Sequence, residues 1–248
     1  MEGRLFFSCA QIIGAFIFGG DFMYNLLALN EQQITNLYIG ISVALIVLAL
    51  VLVLILGRKT VRFTAKKLAF VAVSVALTTV LSLIKFEMPF LNGGSITLFS
   101  LVPVLLVSYA FGLYYGLITG FITGLLQFIT SPWALTPLSF FLDYILPYSC
   151  VCFAGVFKKN VKNQTLAISL GTVFSYLVRF VMHFLSGLNY YSMGYITEGF
   201  PADNMFIYSF VYNLAYVMPD MVICLIFLIP FTFTKPFKTY FLTGENFK

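Results

Sequence analysis

The sequence predicts an all-α, polytopic membrane protein, and three observations lead to that prediction. The 248 residues are 60% hydrophobic and only 9% charged, with a mean hydropathy of +0.98, whereas an average soluble domain carries about 25% charged residues. Apolar runs of about 20 residues, the length that spans a bilayer as a helix, recur along nearly the whole chain. The alternating segments of about 10 residues typical of a membrane β-barrel are not seen.

The placement of the positive charges is the third observation, and it predicts the topology. Eleven of the 14 Lys and Arg residues fall into three clusters, at 58–67, 158–162 and 235–248. Cytoplasmic loops of membrane proteins carry such an excess, so these clusters and the C-terminus are predicted to be cytoplasmic. Their placement between apolar runs indicates a multi-pass protein in the lipid bilayer of the plasma membrane. The net charge of +5 is explained by these loops, and no nucleic-acid partner is predicted.

Run lengths divide the chain into an N-terminal extension, residues 1–57, and a substrate-binding core, residues 58–248. In the extension a helix is predicted at 35–57, and residues 4–20 are either a second helix, a signal-like segment or a re-entrant piece. The core is predicted to contain six helices, at 66–85, 95–110, 112–129, 137–157, 165–188 and 205–233.

Polar side chains on three of the core helices are predicted to lie at one depth. With a rise of about 1.5 Å per residue, Asp143 falls roughly 9 Å, and His183 roughly 7 Å, below the outer boundary. Tyr208 falls roughly 5 Å and Asn213 roughly 12 Å below it on the last helix. Such groups are unfavourable in hydrocarbon unless they are paired or hydrated. We therefore predict a shared polar pocket that opens outward.

A purely structural alternative is that Arg179 neutralises one of the acids. Asp143 and Asp220 are both candidate partners, and the sequence leaves the choice open. An intramembrane enzyme would require the two acids to converge on one site. No catalytic or metal site is predicted, because the chain lacks the H-E-x-x-H and G-x-S-x-G motifs and a second His.

Aromatic residues accompany the acid. Trp133, the only Trp, precedes the Asp143 helix, and Tyr190 and Tyr191 follow His183. Any one of them alone is more typical of an anchor at the membrane surface. Gathered around a carboxylate, aromatic faces suit a flat, cationic heterocycle, through stacking, cation–π attraction and ion pairing.

Small residues mark one face of the first core helix: Ala65, Ala69, Ala72 and Ala76. Residues at this spacing share a helix face, and small side chains there let another helix come close. The pattern predicts either packing inside the chain or docking of a partner, and the sequence alone does not choose between them.

Linked motifs on the last three core helices suggest a family. They are L-D-Y in "LSFFLDYILPYSCVCFAGVF", H-F-x-S-G in "RFVMHFLSGLNYY" and Y-S-x-x-x-N in "FIYSFVYNLAYVMPDMVI". With the preceding "NGGSITLFSLVPVLLVSYAFGLYYGLITGFITGLLQF", they resemble the thiamine-specific S component of energy-coupling factor (ECF) transporters over about residues 66–233. The resemblance implies a six-helix membrane subunit that captures thiamine from outside as a transported ligand and needs no cofactor.

The resemblance also implies roles for individual residues. Asp143 stands where the family has an acid that meets the charged vitamin, and Gly187 where a glycine lets the ligand approach. Other pocket positions are matched by Tyr144, His183, Tyr191, Tyr208, Asn213 and Trp133. The alanine face would dock on a transmembrane coupling protein that is driven by two ATPase subunits.

Two departures from the family pattern lie in loops. The segment at 86–95 has no Trp and offers Phe90 as an aromatic cover for the ligand, and the segment at 111–116 lacks the basic pair common in the family. Another flat heterocycle, such as a thiamine precursor pyrimidine, therefore stays open as the ligand. A purely structural membrane subunit is the least specific alternative.

Overall fold

The structure, a computed structural model, describes residues 64–87, 94–198, 200 and 204–242. In this part of the chain six helices of at least 10 residues follow one another: α1 (Ala65–Ser82), α2 (Val102–Phe111), α3 (Leu113–Thr130), α4 (Pro137–Lys158), α5 (Gln164–Ser192) and α6 (Met205–Phe231). A short π-helical segment, Phe237–Leu242, follows α6. A short antiparallel hairpin of β1 (Lys85–Glu87) and β2 (Ser95–Thr97) lies between α1 and α2. The helices predicted at 4–20 and 35–57, and Phe90, lie outside the described residues.

The described helices have the length and surface of membrane spans. Five of them are at least 18 residues long and apolar enough to cross a bilayer, and α2 is a shorter apolar helix of 10 residues. Large apolar side chains such as Val73, Ile129 and Phe233 are exposed on the outside. Such a surface is unfavourable in water and suits hydrocarbon, so the prediction of an all-α membrane protein is confirmed.

The connection between α1 and α2 differs from the prediction. The first helix ends at Ser82, and residues 95–97, predicted to begin the second helix, form a strand in which Ile96 pairs with Phe86. The second helix begins only at Val102. Ile96 is buried between the polar residues Ser95 and Thr97, and an alternation of only three residues is too short for periodicity to distinguish a strand from a helix start.

The fourth helix changes its winding along its length. It is α-helical at Pro137–Phe140, π-helical at Phe141–Ile145, α-helical again at Leu146–Ser149 and 3₁₀-helical at Cys150–Lys158. Pro147 follows the π-helical turn and has no backbone N–H, so the regular ladder cannot continue through it. Wide turns of this kind are frequent at functional sites, and here the wide turn carries Asp143.

Helices α4 and α5 pack so closely that a glycine is required between them. A Cβ placed on Gly171 would lie 2.0 Å from the backbone oxygen of Ala154. The apolar core beside this contact is formed by α2, the second half of α4, the first half of α5 and the second half of α6, and includes Leu105, Val151 and Ile168.

Lysines from different parts of the sequence meet at one end of the bundle, which we call the basic end. Lys67, near the start of α1, lies 5.6 Å from the ring centroid of Tyr115, near the start of α3. Lys158, at the end of α4, donates a hydrogen bond of 2.7 Å to the backbone oxygen of Phe241, beyond α6. Lys67 of the first charge cluster and Lys158 of the second therefore lie at the same end of the core, as predicted for these two lysines.

Candidate functional site

A partly buried carboxylate, that of Asp143, lies towards the end of the bundle opposite the basic end. Oδ1 of Asp143 is 3.2 Å from Nδ1 of His183, and Oδ2 accepts a hydrogen bond of 2.7 Å from Oγ of Ser186. His183 and Ser186 are three residues apart on α5 and so project from one face of it. The structure thus brings Asp143 and His183 together, and adds Ser186, which sequence reasoning missed although it lies within the H-F-x-S-G motif.

Four tyrosines form a series of ring contacts that ends beside this carboxylate, and we call them the aromatic wall: Tyr191, Tyr208, Tyr212 and Tyr216. The rings of Tyr208 and Tyr212 are nearly parallel, with centroids 5.8 Å apart, and Tyr212 meets Tyr216 edge to face at 5.9 Å. The ring of Tyr191 lies 5.4 Å from that of Tyr208. The wall ends at the site, because Tyr216 meets the His183 ring at 5.6 Å.

Two members of the aromatic wall were missed at the sequence level. Tyr212 and Tyr216 follow Tyr208 at intervals of four residues, which places all three on one face of α6. That spacing is visible in the sequence. It does not by itself indicate a binding site, because aromatic residues at helical spacing also occur in ordinary cores.

Gly187 and Asn213 occupy the contact between α5 and α6. A Cβ on Gly187 would lie 2.3 Å from Oγ of Ser209 and 2.8 Å from Nδ2 of Asn213. Asn213 is itself hydrogen-bonded, accepting from the Tyr216 hydroxyl at 2.7 Å and donating to the backbone oxygen of Ser209 at 2.8 Å. The observed partner of Gly187 is therefore a helix, and its contact with a ligand stays a prediction.

Tyr144 and Tyr190 fasten the loop that precedes α4. The Tyr144 hydroxyl donates to the backbone oxygen of Ser131 at 2.6 Å and accepts from the backbone N–H of Trp133 at 2.9 Å. The Tyr190 hydroxyl donates to the backbone oxygen of Trp133 at 3.2 Å. Trp133 itself is 52% exposed. In this arrangement Tyr144 and Tyr190 position the loop that carries Trp133, and contact of Trp133 with a ligand stays a prediction.

Asp220 belongs to a separate polar cluster. Its Oδ1 accepts a hydrogen bond from Thr97, and its Oδ2 accepts one from Tyr176, both at 2.8 Å. Thr97 comes from β2, which the sequence had assigned to a helix. The two acids thus have different partners, so they do not form the shared site that an intramembrane enzyme would need.

Arg179 forms neither of the ion pairs that the sequence left open. Its guanidinium lies over the ring of Tyr148, with Cζ 4.6 Å from the centroid. It is 9% exposed, and its Nε and Nη1 have no hydrogen-bond partner in the described part of the chain. The acids are held by hydroxyl groups and His183 rather than by direct contact with this cation.

The predicted alanine face is exposed. Ala65, Ala69, Ala72 and Ala76 all lie on the outside of α1. The residues of α1 that pack inward are on its other side and include Val71, Val75 and Thr78. Within residues 64–87, 94–198 and 204–242, the alanine face is therefore available to another helix.

Other candidate chemistry is not found in the described part of the chain. No group of three or more His, Cys, Asp or Glu residues there could hold a metal ion. Cys150, Cys152 and Cys224 are free thiols.

The sequence profile of a family described as "Thiamine transporter protein" matches residues 68–239, which includes nearly all of the six helices. The chain belongs to this family. The family consists of transporters rather than enzymes, so the enzyme alternative is excluded, and the resemblance seen in the motifs of α4 to α6 is confirmed. The protein is a multi-pass membrane protein, as predicted from its composition.

The chain is also similar to individual transporters, of which one is named for thiamine and another for riboflavin. The "Thiamine transporter ThiT" of Bacillus subtilis (strain 168) is 28% identical over 183 residues, which cover 68% of this chain and 92% of the relative. The "Riboflavin transporter RibU" of Lactococcus lactis subsp. cremoris (strain NZ9000) is 30% identical over 148 residues, or 57% of this chain and 70% of the relative. A solved structure of ThiT from Listeria monocytogenes has the same fold, with a TM-score of 0.60, 23% identity, and coverage of 68% of this chain and 94% of that one.

Proposed function

We propose that this protein is the S component of an ECF-type transporter and that it binds thiamine in a pocket that opens to the outside. The observation that supports this most directly is the Asp143 carboxylate, held by His183 and Ser186 at the end of the aromatic wall. Thiamine is a cation with two flat aromatic rings, so aromatic faces and one carboxylate are the groups expected to recognise it.

The charges around the site favour a cationic ligand. In the described part of the chain the Asp143 carboxylate forms no ion pair with a Lys or Arg, and its ionisable partner is His183, so its negative charge is unbalanced when His183 is neutral. A single positive charge on the ligand would balance it. Riboflavin, the compound in the name of the Lactococcus relative, is uncharged at neutral pH. It would leave the Asp143 carboxylate without a counter-charge.

Five of the predicted site residues are proposed to contact the ligand directly. Asp143 balances the thiazolium charge or holds the aminopyrimidine ring, and His183 and Tyr191 flank a ring of the ligand. The Nε2 atom of His183 is buried and has no partner in the described chain, so it is open to a ligand hydrogen bond. Tyr208 and Asn213 supply further hydrogen bonds once their present partners are exchanged.

The basic end is proposed to face the cytoplasm, which also places the C-terminus there. The alanine face on α1 then docks on a transmembrane coupling protein, and two ATPase subunits hydrolyse ATP. Residues 1–57 are proposed to form an appendage to this core.

Substitutions on α1 test the proposed docking. Ala72→Leu should leave thiamine binding unchanged and abolish co-purification with the coupling module. Val73→Leu should retain co-purification. Unchanged co-purification of the Ala72→Leu protein would count against this face.

Equilibrium binding with the purified protein tests the proposed ligand. Trp133, the sole tryptophan, should report micromolar or tighter binding of thiamine through a change in fluorescence. Asp143→Asn should weaken binding by roughly 30-fold or more, since loss of a desolvated charge partner costs about 2–5 kcal/mol. Asp220→Asn is the matched control, because it makes the same chemical change at an acid that has different hydrogen-bond partners. This variant should leave the affinity for thiamine nearly unchanged.

Competing ligands separate the alternatives. Thiamine, its pyrimidine half and riboflavin should be titrated into the same preparation by calorimetry. Tighter binding of the pyrimidine half or riboflavin than of thiamine would overturn the proposed ligand while keeping the transporter assignment. Failure of all three to bind at micromolar concentration would remove the support for this pocket.

A further inference from the structure

A second candidate site lies at the basic end, far along the bundle from Asp143. A cleft with a volume of about 800 Å³ opens there between the end of α2, the start of α3 and the junction of α4 with α5. Its lining includes Phe111, Leu113, Val156, Lys158, Lys159 and Gln164. None of the residues assigned to thiamine lines it, so it needs an explanation of its own.

The lining of this cleft combines two kinds of chemistry. Phe111, Leu113 and Val156 supply apolar surface, and Val156 is 41% exposed. Lys158 and Lys159 supply two positive charges. A small soluble anion would leave the apolar side chains uncovered, and a purely apolar ligand would leave the ammonium groups without a partner. The combination suits an amphiphile with an anionic headgroup.

The Lys158 ammonium is held in position at the cleft wall. It donates to the backbone oxygens of Phe241 at 2.7 Å and Ala110 at 3.4 Å, and it lies 5.0 Å from the ring centroid of Tyr109. An ammonium group has three N–H donors, so one remains for a ligand. Lys159 is exposed beside it and adds a second set of donors.

The surface next to the cleft continues the apolar side. Gln164, in the cleft lining, begins α5, and the next two turns of that helix expose Leu166 and Leu170, at 49% and 40%. Because α5 is long and apolar enough to span a bilayer, leucines exposed on its surface are expected to meet acyl chains. A headgroup bound in the cleft would therefore have hydrocarbon immediately beside it.

We propose that this cleft binds one anionic phospholipid of the inner leaflet. The phosphate lies between Lys158 and Lys159, and the acyl chains follow Leu113, Val156 and the exposed side of α5. The proposal uses the cytoplasmic orientation of the basic end, but it does not depend on which ligand the outer pocket takes. The bound lipid would hold α3 and α4 together at the end of the molecule nearest the cytoplasm.

Lipid retention by the purified full-length protein tests the proposal. The protein in neutral detergent is mixed with equal amounts of phosphatidylglycerol and phosphatidylcholine, and lipid adducts are counted by native mass spectrometry. Phosphatidylglycerol should be retained at least tenfold over phosphatidylcholine. Each lysine should contribute roughly fivefold, so Lys159→Gln should lose about that factor and the Lys158→Gln/Lys159→Gln double variant most of the preference.

Lys162→Gln is the matched control, because it removes the same charge from an exposed lysine nearby that does not line the cleft. Equal loss in this variant would mean general surface attraction and would overturn the site. Competition by millimolar glycerol phosphate would indicate a soluble anion instead of a lipid. Stronger lipid binding after removal of residues 243–248, which include Glu245, would mean that the C-terminal residues compete with lipid for the cleft. The C-terminus would then be its occupant in place of a lipid.

Thiamine titrations of the same variants keep the two proposals apart. Lys159→Gln and the double variant should bind thiamine as the unaltered protein does. The single Lys159→Gln variant also controls for unfolding. Of the two lysines, Lys158 is the one that donates a hydrogen bond to the backbone of Phe241, and this variant keeps it. Loss of lipid preference with thiamine binding intact supports the cleft, and an unchanged preference in a folded double variant refutes it whatever the outer pocket binds.

Discussion

Gly187→Ala is the sharpest test of how the site is built, because the structure and the family resemblance give this glycine different roles. In the structure an added Cβ would lie 2.3 Å from Oγ of Ser209 and 2.8 Å from Nδ2 of Asn213. Ordinary van der Waals contact needs roughly 1 Å more than the shorter distance. Either the Ser209 hydroxyl rotates away or α5 and α6 separate.

The expected cost can be worked out from these contacts. Rotation of Ser209 breaks its hydrogen bond of 2.6 Å to the backbone oxygen of Phe184, a loss of about 1 kcal/mol. Overpacking of the helix contact adds about 1–3 kcal/mol, and the better helix propensity of Ala returns about 1 kcal/mol. The net destabilisation is about 1–3 kcal/mol, and 2 kcal/mol corresponds to a fall in Tm of roughly 4–8 °C for a core of this size.

Thermal unfolding without ligand, measured beside thiamine binding, distinguishes the two roles. Gly187→Ala should lower Tm in the absence of thiamine, and Ser209→Ala should relieve much of that loss in the double variant because it removes the nearest atom. An unaltered Tm combined with weaker thiamine binding would refute the packing argument. It would mean that Gly187 leaves room for the ligand and not for α6.

Two further predictions concern the loop and the second acid. Tyr144→Phe removes the hydroxyl that holds Ser131 and Trp133, so thiamine should dissociate roughly tenfold faster, as followed by stopped-flow fluorescence; an unchanged rate would show that the loop does not retain the ligand. Asp220→Asn replaces an acceptor of two hydroxyl hydrogen bonds, from Thr97 and Tyr176, and should lower stability by about 1–3 kcal/mol in a thermal-shift assay while thiamine affinity stays within roughly twofold. A loss of affinity as large as that of Asp143→Asn would mean that the two acids act as one site.

Properties carried by long stretches of sequence were predictable without the structure. Span length depends on the number of consecutive apolar residues, and topology depends on where the lysines lie, so both can be read from one chain. Depth is equally accessible, because the rise per residue of a helix is constant. Asp143 and His183 were predicted at one depth, and in the structure their side chains are 3.2 Å apart.

Properties that depend on how helices rotate and approach one another needed the tertiary structure. The sequence did not show that Ser186 would share the carboxylate, or that Tyr216 would meet His183. It also could not choose between a ligand and α6 as the neighbour of Gly187, because a glycine at a close approach looks the same in either case.

The sequence by itself thus determined a six-helix membrane transporter of the thiamine family, with an acid, a histidine and aromatic residues in one layer. Only the tertiary structure decided that Asp220 bonds to Thr97 and Tyr176, and that Arg179 lies over Tyr148 without a direct ion pair. The reason is physical. Hydrophobicity and helical rise act along the chain, whereas hydrogen bonds in an apolar interior depend on which faces of separate helices meet.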